Sequence, residues 1–186
     1  MNKMQRKSNR GAFLLEFALV STFILIPLIL GTMTVGMTLV RTIHVYQLNR
    51  DAGHMFARGV DFSQAQNRAL LIQMSAGLNI TDSGGNGVII LSLIQAVNAG
   101  QAVCTRQLVI GNAGLRPSSF TNPTLVDSSG NVTIAGDPGA VANSFLNVMA
   151  MAPGDTAYVA ESYFSSSDYD WTGFLTGNGT YTRAVF

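Results

Sequence analysis

Arg10-Gly11-Ala12-Phe13-Leu14-Leu15-Glu16-Phe17 opens a stretch that stays apolar through Val40. Residues 17–40 are 24 successive positions without a charge, about 36 Å of helix at 1.5 Å rise per residue. That length exceeds the ~30 Å hydrocarbon core of a bilayer with room for tilt. A secretory signal has an apolar core of only about 7–15 residues and a small-residue cleavage site behind it, so the run reads as a membrane-spanning helix over residues 12–40. Lys3, Arg6, Lys7 and Arg10 precede it and make residues 1–11 a basic leader. Glu16 is the one acid at its mouth. An ionised side chain within a spanning helix costs roughly 2.5–3.5 kcal/mol on insertion scales, so its presence points to function. The alternative is a carboxylate that stays hydrated at headgroup level.

The spacing of Gly11 and Glu16 resembles the processing site of type IV prepilins. In that family a membrane-embedded prepilin peptidase cuts after the glycine, and a glutamate at the fifth position of the new N-terminus is required for assembly. By that resemblance Ala12 is the first residue of the mature chain and Glu16 the fifth. The wider stretch, from Arg10 through the apolar run to His44-Val45-Tyr46-Gln47-Leu48-Asn49-Arg50-Asp51-Ala52-Gly53, is similar to the TadE-like pilus-assembly family, minor pilin-like proteins of the tight-adherence (Flp) pilus. The likeness covers about residues 10–60. It implies a single-pass protein of the bacterial inner membrane with a cytoplasmic N-terminus. Its partners would be a prepilin peptidase, other pilin-like subunits and the inner-membrane assembly machinery. A major subunit of that pilus type is expected to be much shorter, so a sizeable head favours a minor role. Priming, capping and incorporation along the filament all stay open.

Composition limits the other classes. With 47% hydrophobic and 11% charged residues, the chain is too apolar for disorder. The net charge of +1 hides an asymmetry. No lysine follows Lys7, and residues 61–186 carry four arginines against eight acids, a net −4. Lys/Arg bias retains the basic flank in the cytoplasm and sends the C-terminal part across. An acidic exported domain lacks the basic face that nucleic-acid binding needs, so no nucleic-acid partner is expected. The single Cys104 is either a buried small hydrophobe or an intermolecular thiol.

Beyond the membrane run the helix is expected to continue to about Arg58. Val45, Leu48, Ala52, Met55 and Gly59 follow 3-4 spacing as one apolar stripe of an amphipathic extension, residues 41–60. His44, Gln47, Asp51, His54 and Arg58 fall on a polar stripe that reads as a solvated face. The apolar stripe needs a cover, which the following domain should supply. Within the membrane run, Thr32 and Gly36 give the small-xxx-small spacing suited to close helix contact, and Pro27 should kink or locally open the helix.

Residues 61–186 read as an α+β head with a mainly antiparallel sheet and one or two short helices. Asp61 or Ser63 can cap a helix, with Ser63 and Gln66 as a capping box, and Ala65, Ala69, Ile72 and Ala76 as its repeat. Strands are expected at 88–94, 103–110, 157–164 and 180–186. A turn at 127–131 should join short strands at 124–126 and 132–134. Asp137 and Pro138 should open a helix over 138–149.

Catalysis is not expected. Residues 61–186 contain no histidine, which removes Ser-His-Asp and Cys-His arrangements unless His44 or His54 reaches over. Among Asp155, Glu161, Asp168 and Asp170 a carboxylate pair is conceivable, though such acids are usually surface groups. The 167–173 segment has a partial calcium-loop look without the distal glutamate of an EF-hand, and the aromatics Tyr163, Phe164, Tyr169, Trp171 and Phe174 read as a packed edge or contact surface. No metal or cofactor is expected. Two rivals to the pilin-like reading are an unprocessed single-pass anchored binding or sensor domain, and an anchored hydrolase.

Overall fold

Helix α1 runs without interruption from Arg10 to Ala57. The computed structural model describes residues 10–165 and 179–186, and the chain divides into two units, Met1–Val40 and Arg41–Phe186.

In the first unit α1 buries none of its large apolar side chains. Phe13, Leu19, Phe23, Leu28, Val35 and Val40 are all more than half exposed. A helix that is apolar on every side is stable only in lipid or inside a larger protein. The hydroxyls of Ser21, Thr22, Thr32, Thr34 and Thr38 each donate to a carbonyl three or four residues back, at 2.8–3.1 Å. Such back-bonding satisfies a hydroxyl where no water is present. Pro27 deletes one N–H from the ladder, but the helix runs on through it.

The second unit is a four-stranded antiparallel sheet covered on both faces. The strands are β1 (Gly87–Asn98), β2 (Gln101–Gly111), β3 (Thr156–Phe164) and β4 (Thr180–Val185), in the order β2-β1-β3-β4. All four expected strands form, and β1 and β2 run longer than the apolar pattern alone indicated. Polar ends such as Gln95, Asn98 and Gln101 still pair across the tight hairpin at Ala99-Gly100. Thr105 is skipped in the register, where Leu93 opposes Arg106 but Ile94 opposes Cys104, a bulge that bends the hairpin.

One face of the sheet packs on helices. Ile89, Leu91, Leu108, Ile110, Ala160 and Phe164 meet Val45, Leu48, Ala52 and Phe56 of α1 and Leu71 of α2 (Ala65–Met74). The stripe on α1 is therefore covered as expected, with one shift. Phe56 is buried and Met55 only half so, while Gly59 lies exposed beyond the helix at φ +85°. The buried arc also includes Asn49 and Gly53. A Cβ at Gly53 would overlap the Phe186 ring and meet the Ala160 Cβ at 3.0 Å, so a side chain there would have to displace the Phe186 ring.

The opposite face is covered by the long connection at 112–155, whose Phe120, Phe145 and Met151 cap Ile94, Ala96, Ala102, Ala157 and Val159. Two expectations fail in this region. No single helix spans 138–149; two 3₁₀ turns, Pro138–Ala140 and Asn143–Asn147, take its place. Asp137 does cap the first, accepting from Gly139 N–H, but its carboxylate also accepts from Thr124 N–H at 2.6 Å and Leu125 N–H at 2.8 Å. Serving two segments at once, it holds a loop rather than starting a helix. The expected strands at 124–126 and 132–134 reduce to one bridge, Val126–Val132, around the correctly placed turn at 127–131.

A third expectation fails at α2. Its N-cap is Gln64 with no side-chain cap, and Asp61 instead accepts from Ser63 N–H and Ser63 Oγ–H. The alanine repeat points outward, with Ala65, Ala69 and Ala76 exposed and Leu71 buried. A leucine side chain has about twice the apolar area of an alanine, so the helix turns Leu71 to the core and leaves the alanines outside.

Candidate functional site

Two places hold side chains that the fold alone does not require. The first is the N-terminal end of α1. Gly11, Ala12 and Glu16 are exposed and helical. The helix starts at Arg10, and its first turn contains no acid, so Glu16 lies in the second turn. In a chain beginning at Ala12 it would be the fifth residue. A Cβ built at Gly11 meets nothing within 4 Å, so no packing requires a glycine there. Gly in a helix costs roughly 1 kcal/mol relative to Ala, so Gly11 weakens the first turn of α1. Thr32 and Gly36 are exposed on the same segment, and no side chain approaches Gly36 within 4 Å. Lys3, Arg6 and Lys7 lie outside the described residues.

This segment belongs to the one described helix long and apolar enough to cross a membrane. It is compatible with a single-pass membrane anchor.

The polar stripe of α1 is only partly solvated. Gln47, Asp51 and Arg58 are exposed, but His44 Nε2 lies 3.1 Å from Met74 O, and the His54 ring lies 4.4 Å from the Phe186 ring. Among the described residues neither histidine hydrogen-bonds to a serine or cysteine. The fully buried Asn49 was missed by the stripe pattern. Its Nδ2 donates to Ala160 O at 3.2 Å, and its Oδ1 accepts from Ser162 Oγ–H at 2.7 Å. It joins α1 to β3.

The second place is around Glu161. This side chain is 2% exposed, in mid-strand on β3. It accepts from Ser118 Oγ–H, from Ser119 N–H at 3.0 Å and from Tyr181 OH at 2.6 Å. Burial, followed by the hydrogen bond to Glu161, pushes the Tyr181 hydroxyl above its ordinary value. Nearby, the Arg116 guanidinium lies 4.0 Å from the Tyr181 ring centre and 5.8 Å from that of Tyr163. Arg183 lies 4.9 Å from that of Phe120. The gap among these residues is too tight for a water, so the carboxylate ties the 112–122 loop to the sheet and has no room for a substrate.

A carboxylate pair between Asp155 and Glu161 does not form. Asp155 is exposed and accepts from Ala152 N–H, and six residues of strand, about 20 Å, separate the two. Asp168 and Asp170, the partial calcium loop at 167–173, and Tyr169, Trp171 and Phe174 lie outside the described residues. Phe164 belongs to the core, and Tyr163 lies on the other face beside Arg116. Cys104 is fully buried, and that burial raises its thiol to about 11, the behaviour of a small hydrophobe and not of a reactive thiol. Among the described residues no three His, Cys, Asp or Glu side chains cluster as metal ligands would.

No family model, curated protein or solved structure matches the chain.

Proposed function

We propose that this chain is a pilin-like minor subunit or assembly factor of a type IV pilus of the tight-adherence kind. In this reading it is inserted in the bacterial inner membrane with its basic end inside, and processed after Gly11 by a prepilin peptidase. The observation that carries it is α1 itself. Its first 31 residues expose apolar side chains all round, with Glu16 as the one acid, and its remainder is built into the core of an α+β domain. A simple anchor needs neither a carboxylate in the second turn nor a glycine that no packing demands. A subunit that must leave lipid for an assembly has use for both. The glycine yields an extended backbone to a protease, and the charge finds a partner only among other subunits, since an ion in lipid needs one. The partners are then other pilin-like subunits and the inner-membrane machinery, and no catalysis is assigned to the chain.

Co-expression with a prepilin peptidase tests it, read by intact mass of the membrane-extracted protein. The expected product starts at Ala12, and a bulky substitution such as Gly11→Leu should block the cut. An intact N-terminus under conditions that process a control prepilin would overturn the proposal and leave an anchored binding domain.

A further inference from the structure

The two edges of the sheet are finished differently. Along β2 the outer edge is occupied by the connection that follows it: Gln107 N–H donates to Gly130 O at 2.7 Å, Val132 N–H to Thr105 O at 3.0 Å, and Ala142 N–H to Ala102 O at 2.8 Å. Among the described residues strand β4 has no such cover. Tyr158 and Phe186 exchange both main-chain hydrogen bonds, at 3.0 and 2.9 Å, which sets the phase of the β3–β4 ladder. Thr180, Thr182 and Ala184 therefore turn their main chain toward β3, and Tyr181, Arg183 and Val185 turn theirs away. Among the described residues those outward N–H and C=O groups have no hydrogen-bond partner. Proteins ordinarily blunt or cover such an edge.

The charges beside this edge are also unmatched. Two head arginines are ion-paired, Arg68 with Asp82 at 3.0 Å and Arg106 with Asp61. Arg116 and Arg183 have no carboxylate within pairing distance among the described residues and lie over aromatic rings instead. Glu161 stands opposite Arg183 in the register, yet its carboxylate is taken up by Ser118, Ser119 and Tyr181. Among the described residues, a strand edge without hydrogen-bond partners thus adjoins two cations without carboxylate partners, on a head whose net charge is −4.

We propose that the outer edge of β4 accepts an extended acidic segment of a partner protein as a fifth strand, with Arg116 and Arg183 pairing its carboxylates. Main-chain bonds supply affinity in strand addition and alternate side chains supply selectivity. A polyanion such as nucleic acid would satisfy the arginines but would set its phosphate oxygens against the carbonyls of Tyr181, Arg183 and Val185. The geometry therefore favours a peptide. The inference is independent of whether the chain is processed at Gly11.

The test uses the full chain in detergent and a fluorescent octapeptide of alternating Thr and Asp. In an antiparallel fifth strand, the residues whose side chains share a face with Arg183 are those whose N–H and C=O point at β4. N-methylation of the Asp amides should therefore weaken binding tenfold or more, and N-methylation of the Thr amides should leave it unchanged. Arg183→Glu should weaken binding at least tenfold, a Thr/Lys octapeptide should not bind, and added salt should weaken the complex. Equal affinity for the two N-methylated peptides, or no binding of the acidic peptide at millimolar concentration, would overturn the inference. So would tighter binding of a single-stranded oligonucleotide with the same dependence on Arg183, or self-association of the chain through β4.

Discussion

Replacing Asn49 with alanine removes two side-chain hydrogen bonds from a site that is 1% exposed. Each bond contributes about 0.5–1.5 kcal/mol net. The Ser162 hydroxyl, itself 1% exposed, is left without its acceptor, which costs about 1 kcal/mol or more at a buried site. Alanine returns up to about 0.7 kcal/mol through helix propensity. The balance is a loss of about 2–3 kcal/mol. For a unit spanning Arg41–Phe186, that lowers the melting temperature by roughly 4–12 °C. The assay is thermal unfolding of the detergent-solubilised protein followed by far-ultraviolet circular dichroism at a wavelength dominated by the sheet. Ser162→Ala serves as the partner in a double-mutant cycle, which should return a coupling of about 0.5–1.5 kcal/mol between the two residues. A loss under 0.5 kcal/mol for Asn49→Ala, or strict additivity with Ser162→Ala, would refute the idea that this amide joins α1 to β3.

Two further outcomes are expected. Glu16→Gln keeps size but deletes the charge; the variant should insert, be cut after Gly11 and fold, yet fail to co-purify with its assembly partners or support surface piliation. The helix dipole contributes about 0.3–1 kcal/mol to a carboxylate in the first turn and less to Glu16 in the second, well below the cost of immersing it, so normal piliation by this variant would remove the pairing role. Acid should destabilise the head through Asp61 and Asp137: hydrogen bonds from Ser63, with a smaller contribution from Arg106, hold Asp61 down to about 2, and main-chain donors led by Leu125 N–H lower Asp137. A lowered native value means that the unfolded chain binds more protons, so these contributions are complete above about pH 5 and fade as pH drops through the native values. Asp61→Asn with Asp137→Asn should flatten the melting temperature against pH below 5; an unchanged slope would contradict this.

Much of this protein was legible because its strongest signals are local. Twenty-four uncharged residues in a row make a helix long and apolar enough to cross a membrane, and the 88–94 and 103–110 segments are short, rich in β-branched residues and bounded by turn residues, as strands are. The stripe Val45, Leu48 and Ala52 identified the covered side of α1 because large apolar groups dominate burial. Where a segment offers only small or polar residues, the local pattern carried too little energy to decide. Ala65, Ala69 and Ala76 did not choose the face of α2, and 138–149 did not become a helix because Asp137 was recruited by Thr124 and Leu125.

What the sequence by itself determined is the division into a long apolar helix and an acidic α+β head, together with the Gly11–Glu16 spacing on which the functional proposal rests. What only the tertiary structure decided concerns polar groups. Asn49 lies outside both stripes read from the sequence, Glu161 reads as a surface acid, and Arg183 is one of four head arginines with nothing local to single it out. Folding buries the first two, satisfies Glu161 from a loop more than forty residues upstream, and, among the described residues, leaves Arg183 without a carboxylate partner beside an uncovered strand edge. Hydrophobic burial is roughly additive and follows local periodicity, whereas a hydrogen bond needs a particular donor at a particular place, and only the assembled chain supplies that.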